Sequence, residues 1–147
     1  MKMSYCASKG VIIKDGKFLV IKQRLNDKEL YDLPGGRIER GRTPEEHLKI
    51  EIKEEVGLDV EVGKLIGYSY FIREVDGDQV ICLLFECKPL TYNIDITKNP
   101  AKEENIIEFK WMAPEEFMKL DDRSSLFLKT TKKTLMDFFH RIKKGKI

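Results

Sequence analysis

The chain has 147 residues, of which 41% are hydrophobic and 35% charged, and its net charge at pH 7 is +2. This length and composition predict one globular domain over residues 1–147 that buries a real core. We find no signal peptide and no apolar run near the roughly 20 residues of a membrane span, so we expect no membrane partner. Three cysteines without metal-ligand spacing indicate a reduced, cytoplasmic environment.

The first part of the chain predicts a β-hairpin followed by a loop. Residues 4–14 and 17–24 read as two strands joined by the two-residue turn Asp15-Gly16. On the return strand, Phe18, Val20 and Lys22 share one face, and Leu19 and Ile21 share the other. Residues 25–31 are rich in charge and predict a loop, and residues 32–39 predict a short strand interrupted by glycines.

The next stretch predicts a helix with both ends marked. Thr43 is a good N-cap, Pro44 fits the first helical position, and Glu46 completes a capping box with Thr43. Gly57 stands where a left-handed C-terminal stop is expected. Between these ends, three apolar residues recur at helical spacing and predict the buried stripe: Leu48, Ile52 and Val56.

Three glutamates, Glu51, Glu54 and Glu55, lie beside that stripe. Carboxylates crowded in this way repel one another and need a cation, and oxygen-rich clusters suit Mg²⁺ or Mn²⁺. The preceding Pro34-Gly35-Gly36 supplies a bend and backbone without Cβ, where a metal-bound phosphate chain can approach closely. A solvated acidic helix face is the competing interpretation.

Residues 33–58 resemble the signature box of the MutT-like Nudix hydrolases. That box reads Gly, five residues, Glu, seven residues, then Arg-Glu-apolar-any-Glu-Glu-any-Gly-apolar. The positions that match in register are Gly36, Glu51, Ile52, Glu54, Glu55, Gly57 and Leu58. Two positions depart from the signature, because Arg42 stands for the first Glu and Ile50 for the Arg.

The resemblance implies an α/β fold, a Nudix-type α/β/α sandwich with a mixed β-sheet. It also implies Mg²⁺-dependent hydrolysis of a phosphoanhydride in a nucleoside diphosphate linked to another moiety, with Mn²⁺ as a substitute ion. The residues that would carry it are Glu51, Glu54 and Glu55 as catalytic and metal-binding groups, and Arg24, Gly35, Gly36 and Arg37 as substrate contacts. A further metal ligand would come from a loop outside the box, where Glu104 or Glu103 is best placed. Arg24 and Arg37 also read as ordinary surface arginines.

The two departures leave the activity open. In the family, the box arginine pairs with glutamates of the box and holds them in place. Losing Glu and Arg together leaves no unpaired charge, but it removes the orienting cation and weakens the predicted metal site. His47, one turn before Glu51, either supplies part of that support or is a helix-surface histidine without a role. The alternative function is a Nudix-fold module that binds a nucleotide or other ligand with little or no turnover.

The rest of the chain predicts further strands and two helices. These are strands at 60–74, 79–87 and 106–112, a turn at Asp76-Gly77, a loop at 89–100, a short helix at 114–120 and a last helix at 124–144. The 79–87 strand contains a continuous apolar run from Val80 to Phe85, which suits a central strand. The apolar face predicted for the last helix contains Leu128, Leu135, Phe139 and Ile142. Tyr68, Tyr70 and Trp111 either pack in the core or stack a nucleobase.

The C-terminal end is basic. Residues 129–147 hold seven Lys/Arg against Asp137, a net charge of +6, which leaves −4 for the rest of the chain. Nucleic-acid binding has little support, because the basic residues lack interleaved exposed aromatics. The expected partner is a small nucleotide-like diphosphate, and a homodimer is left open.

Overall fold

The computed structural model describes residues 2–25, 27–97, 105–143 and 145. In chain order the described elements are β1 (Ser4–Lys14), β2 (Lys17–Leu25), β3 (Lys28–Asp32), β4 (Gly35–Arg37), α1 (Pro44–Val56), β5 (Val60–Ile72), β6 (Gln79–Pro89), β7 (Asn105–Met112), α2 (Pro114–Met118) and α3 (Leu126–Lys143). The two predicted hairpin strands and the box helix are confirmed.

β1 is the strand around which the mixed sheet is built. It pairs in parallel with β6 from Ser4 opposite Gln79 to Ile12 opposite Cys87, and antiparallel with β4. Its last residues pair antiparallel with β2, which also pairs with β3 and β7. The strand order is β3-β2-β1-β6-β5. The predicted central position of β6 is confirmed, since it lies between β1 and β5.

The sheet is covered on both faces, as the predicted sandwich requires. Successive residues of a strand point to opposite faces, and β2 shows this directly. Phe18 and Val20 pack in one core with residues of α2 and α3, whereas Leu19 and Ile21 pack in another with the stripe of α1. The helix with the three glutamates therefore packs against one face of the sheet, and the other two described helices pack against the opposite face.

Residues 25–31 were predicted as a loop, and this was wrong. β3 begins at Lys28, pairs with β2 through its backbone, and forms one edge of the sheet, with Asp27 at φ 64° just before it. Charged side chains obscure such a strand in the sequence. They are tolerated at a sheet edge because they remain solvated there.

α3 covers the opposite edge of the sheet. The hydroxyl of Thr130 accepts a 3.0 Å hydrogen bond from the N–H of Tyr70 and donates to its carbonyl at 3.0 Å, while Thr134 donates to the carbonyl of Tyr68 at 2.6 Å. Backbone groups that β5 would leave unpaired are thus satisfied. The prediction that Ile142 belongs to the buried face was wrong: it is 41% exposed, and Phe138 is buried instead. No helix among the described residues is long and apolar enough to cross a membrane.

Candidate active site

The helix that carries the three glutamates is fixed at both ends. Oγ1 of Thr43 accepts a 3.1 Å hydrogen bond from the N–H of Glu46, and Pro44 takes the first helical position. Gly57 ends the helix at φ 76°, and its N–H donates to the carbonyl of Lys53 at 3.0 Å. The apolar stripe is 0% exposed: Leu48, Ile52 and Val56. The backbone positions of the glutamates are therefore set by local sequence signals and by burial of one helix face.

Glu55 lies against the glycine loop. Its side chain is buried, and Oε1 accepts a 2.7 Å hydrogen bond from the N–H of Gly35. Gly35 adopts φ 142°, and a Cβ at this position would lie 2.0 Å from the carbonyl oxygen of Ser8. Only glycine therefore allows the loop to pass so close to β1 and to present this N–H to the helix.

Glu51 faces the next residue of the same loop. A Cβ on Gly36 would lie 3.0 Å from Oε2 of Glu51, so the missing side chain leaves room for the carboxylate. On its other side, Oε1 of Glu51 is 3.3 Å from Nε2 of His47. This separation allows an ion pair when the imidazole is protonated, but the two groups are not aligned as a hydrogen bond.

His47 is 1% exposed, so the prediction of a histidine on the helix surface was wrong. The side chain is four residues before Glu51 and next to Leu48, which places it on the arc of α1 that faces the protein. The sequence signal was the spacing to Glu51. Its burial also requires that other segments of the same chain cover that arc of the helix, and the helix sequence alone does not reveal this.

Glu54 and Ile50 lie on the outward side of α1. Glu54 is exposed and has no hydrogen-bond or ion-pair partner among the described residues, and Ile50 is 37% exposed. They contribute to a shallow open hollow lined by Lys49, Ile50, Lys53, Glu54, Asp59, Val60 and Leu90. Arg42 forms a 3.3 Å ion pair with Glu39 rather than with a glutamate of α1. Neither departing residue therefore replaces the orienting cation of the signature.

The described residues do not assemble a ready-made metal site. In ranges 2–25, 27–97 and 105–143, no three carboxylate, imidazole or thiol side chains are grouped so as to hold a metal ion. Glu55 is turned to the N–H of Gly35, and Glu54 points to solvent. The donor chemistry still fits, because carboxylate oxygens are the ligands that Mg²⁺ and Mn²⁺ prefer and Gly36 leaves space beside Glu51. The candidate ligands Glu103 and Glu104 lie outside the described residues.

The two arginines predicted to contact phosphate lie in different surroundings. Arg37 follows Gly36 on β4 and is exposed, and its guanidinium carbon is 4.1 Å from the centroid of the Tyr5 ring. Arg73 holds the same tyrosine by donating a 2.8 Å hydrogen bond to its hydroxyl, which raises the pKa of Arg73 above its ordinary value. Arg24 is exposed and forms a 3.3 Å ion pair with Glu29 across β2 and β3. Arg37 is thus beside the glycine loop, and Arg24 is engaged with a neighbouring strand.

Sequence reasoning missed a partly buried ion pair that supports the loop. Nζ of Lys9 lies 3.0 Å from Oδ2 of Asp32, and Oδ1 of Asp32 accepts a 2.7 Å hydrogen bond from the N–H of Leu33. Lys9 is opposite Gly35 in the register of β1 and β4. A signal was available, since position 9 points inward between Ala7 and Val11, where a lysine requires a partner. The pair fixes the chain as it enters the glycine loop.

Comparison with known proteins identifies the family. A family model described as the NUDIX domain matches residues 5–131. The chain belongs to the NUDIX family. The box seen in the sequence, from Gly36 to Leu58, lies within the matched range, and so do all the described elements from Tyr5 of β1 to the first turns of α3.

Two curated relatives are similar to parts of the chain. An ADP-ribose pyrophosphatase of Methanocaldococcus jannaschii is 46% identical over 78 residues, which are 52% of this chain and 46% of that protein. A MutT-like protein of Streptomyces ambofaciens is 32% identical over 109 residues, 73% of this chain and 62% of that protein. The chain therefore spans less than two thirds of either relative.

A solved structure agrees with the fold. The crystal structure of a MutT protein from Methanosarcina mazei Go1 superposes with a TM-score of 0.76 at 20% identity, covering 92% of this chain and 96% of that one. The α/β sandwich with a mixed sheet predicted from the sequence is confirmed.

Proposed function

We propose that this NUDIX-family chain hydrolyses a phosphoanhydride bond in a nucleoside diphosphate linked to another moiety, with Mg²⁺ as its cofactor. One observation carries the proposal: Glu51 and Glu55 lie on one arc of α1 and face Gly36 and the N–H of Gly35. The relative named ADP-ribose pyrophosphatase supports this class of substrate, because its 78 aligned residues are 46% identical to this chain.

A phosphoanhydride resists attack by water because its own negative charge repels the nucleophile. Glu51, Glu54 and Glu55 would hold a divalent cation, which when bound would neutralise part of that charge and lower the pKa of the attacking water. A carboxylate of the same set accepts the proton that the water loses. A new P–O bond forms to the water oxygen as the bridging P–O bond breaks, and the electron pair leaves with the departing phosphate.

The glycine loop and its neighbours would orient the diphosphate. Gly36 offers backbone without a side chain, so phosphate oxygens can come close to Glu51. Arg37 is exposed beside the loop and held over the Tyr5 ring, from where its guanidinium would bind a phosphate oxygen. Arg24 would have to exchange its ion pair with Glu29 for the same purpose. Of the two arginines, Arg37 is the better supported contact.

A second candidate function is binding without turnover. It is favoured by Arg42 and Ile50, neither of which supplies the orienting cation of the family's box, and by the lack of a preassembled ligand set among the described residues. Such a module would bind a nucleotide-like diphosphate through the glycine loop and release it unchanged.

A substrate screen separates the two functions. The purified chain is incubated with ADP-ribose, other nucleoside diphosphates linked to a second group, and nucleoside triphosphates, each with Mg²⁺, with Mn²⁺ and with a chelator. Products are separated by anion-exchange chromatography, and Glu54→Gln is run in parallel. We expect metal-dependent release of two phosphate-bearing products that Glu54→Gln loses. Saturable binding of a diphosphate without product, at enzyme concentrations near those of the substrate, would favour the binding module.

A further inference from the structure

His47 is one of the two histidines of the chain, and it lies beside a glutamate of the candidate site. Its side chain is 1% exposed, and Nε2 is 3.3 Å from Oε1 of Glu51. Neither ring nitrogen has a hydrogen-bond partner among the described residues. The other histidine, His140, is exposed on α3.

Burying an imidazole without partners costs free energy, because its nitrogens lose their hydrogen bonds to water. An apolar residue would fill the same place on α1 at less cost, since the arc is already lined by Leu48 and Ile52. Within the described residues, this cost is offset by the approach of Nε2 of His47 to Oε1 of Glu51.

The box also lacks the arginine that pairs with its glutamates in the family. Ile50 stands where the signature has arginine, and Arg42 is paired with Glu39. A carboxylate that must serve as a ligand needs a neighbouring donor to fix its orientation, and such outer partners contribute strongly to metal affinity. His47 is on the correct side of α1 to be that donor, whereas Ile50 points outward.

We propose that His47 is a positioning residue that orients Glu51 for a divalent cation, in place of the arginine missing from the box. This inference depends on the proposed function, because it assumes that Glu51 binds a metal. The imidazole acts through Glu51 and does not itself bind the cation. The orienting group thus lies at position 47, on the buried arc of α1, whereas the signature has it at position 50, on the outward arc.

The first experiment measures Mn²⁺ affinity by calorimetry and by electron paramagnetic resonance of free Mn²⁺. It compares wild type, His47→Leu, His47→Gln and the control His140→Gln, with the unfolding temperature of each. His47→Leu keeps similar bulk but has no donor, and we expect about 10-fold weaker Mn²⁺ binding. His47→Gln retains an N–H donor and should recover part of the loss, and His140→Gln should bind as wild type.

A double-mutant cycle distinguishes positioning from a general loss of structure. If His47 acts through Glu51, His47→Leu should weaken Mn²⁺ binding much less in a Glu51→Gln background than in wild type. Equal losses in both backgrounds, or a His47→Leu variant that is folded and binds Mn²⁺ as wild type does, would overturn the inference. Wild type that binds no Mn²⁺ would overturn both the inference and the proposed function.

A second measurement needs no substitution at His47, in case its replacement unfolds the chain. Imidazole ¹H–¹⁵N spectra of wild type are recorded during a Mg²⁺ titration, with the two histidines assigned from His140→Gln. We expect the His47 ring signals to shift on saturation and the His140 signals to remain unchanged. A His47 ring that does not respond to saturating Mg²⁺ would contradict its role.

Discussion

The N–H of Gly35 donates a 2.7 Å hydrogen bond to Oε1 of Glu55, which joins the glycine loop to the last turn of the box helix. The bond is buried and its acceptor is a carboxylate, so it is of the stronger, charge-assisted kind. A glutamate predicted as a catalytic and metal-binding group therefore also fixes the distance between α1 and the loop. Glu54, the preceding residue, does not have this structural role because it faces solvent.

This difference predicts distinct outcomes for two neighbouring substitutions. Glu54→Gln and Glu55→Gln should both reduce turnover by orders of magnitude, since each removes a candidate ligand charge. Only Glu55→Gln should also lower stability, by about 1–3 kcal/mol, because it weakens a buried hydrogen bond to a charged acceptor. Thermal unfolding of both variants, alongside product release, checks this. Normal turnover in both variants with unchanged unfolding would remove these residues from the catalytic set.

The two glycines of the loop form a second matched pair. Gly35→Ala should unfold the loop or the chain, because the new Cβ would meet the carbonyl of Ser8 at 2.0 Å and φ 142° disfavours alanine. Gly36→Ala meets only the flexible end of Glu51, at 3.0 Å, so the protein should fold with that carboxylate displaced. We expect near-normal unfolding and weaker Mn²⁺ binding for Gly36→Ala. The opposite order of stabilities would show that the loop is not held as described.

Local signals explain why so much of the fold could be predicted from the sequence. The turn at Asp15-Gly16 has both residues at positive φ, 52° and 75°, and the caps Thr43 and Gly57 end the box helix where expected. Turn chemistry and capping depend on a few adjacent residues, so they can be read without knowing what packs nearby. The register of the box then placed Glu51 and Glu55 beside the glycine loop.

The parts that could not be predicted depend on distant partners. Lys9 is buried because Asp32, 23 residues away, meets it across the sheet, and His47 is buried because the chain closes over one arc of α1. In spite of its charged sequence, β3 forms a strand because its backbone pairs with the edge of β2. Such properties arise from strand order, which no local window contains.

The basic C-terminal region contains two adjacent lysines with different roles. Nζ of Lys132 donates to the carbonyl of Leu120 and lies 3.2 Å from Oδ2 of Asp122, and its side chain is 12% exposed. Lys133 is exposed. We expect Lys132→Met to cost about 1–3 kcal/mol of stability and Lys133→Met less than about 0.5 kcal/mol. Unfolding temperatures measure this.

The same pair tests whether the basic end steers the anionic substrate. If it only packs and solvates, Lys133→Met should leave KM unchanged. A rise in KM at low salt that disappears at high salt would show steering, which is screened over about 10 Å at 0.1 M salt.

The three cysteines should differ sharply in reactivity. Burial raises the pKa of the Cys82 thiol to about 11 and that of Cys87 to about 12, whereas Cys6 is exposed. An alkylating reagent at pH 8 should therefore modify Cys6 in the folded protein and all three only after unfolding. Mass spectrometry of the intact chain gives the count.

The raised thiol pKa values also predict the direction of a pH effect. Below pH 9 the thiols are protonated in both the folded and the unfolded state, so their contribution to the free energy of unfolding is fully present. Above pH 9 the unfolded chain loses these protons while the folded chain keeps them, so stability falls as pH rises toward 11 and 12. Replacing Cys82 and Cys87 by Ala should flatten that decline. A decline of equal steepness in the double variant would assign it to other groups.

Restoring the two missing box residues tests what their loss means. Ile50 is 37% exposed, so Ile50→Arg should fold, while Arg42→Glu gives up the ion pair with Glu39. Alone, Ile50→Arg adds a cation near Arg42, and Arg42→Glu adds an acid to an acidic site. Together they restore the pair of the family's signature, and we expect tighter Mn²⁺ binding than in either single variant.

The coupling between the two changes should be about 1 kcal/mol, or roughly fivefold in affinity, as for residues in one network. A Mg²⁺ titration of activity and calorimetric Mn²⁺ titrations of all four proteins, with their unfolding temperatures, provide the measurement. If Ile50 instead stabilises the fold through apolar contact with Val60 and Leu90, which line the same hollow, the double variant would lose stability and gain no affinity for Mn²⁺. Additive effects without improvement in the double variant would count against the idea that the missing pair weakens the site.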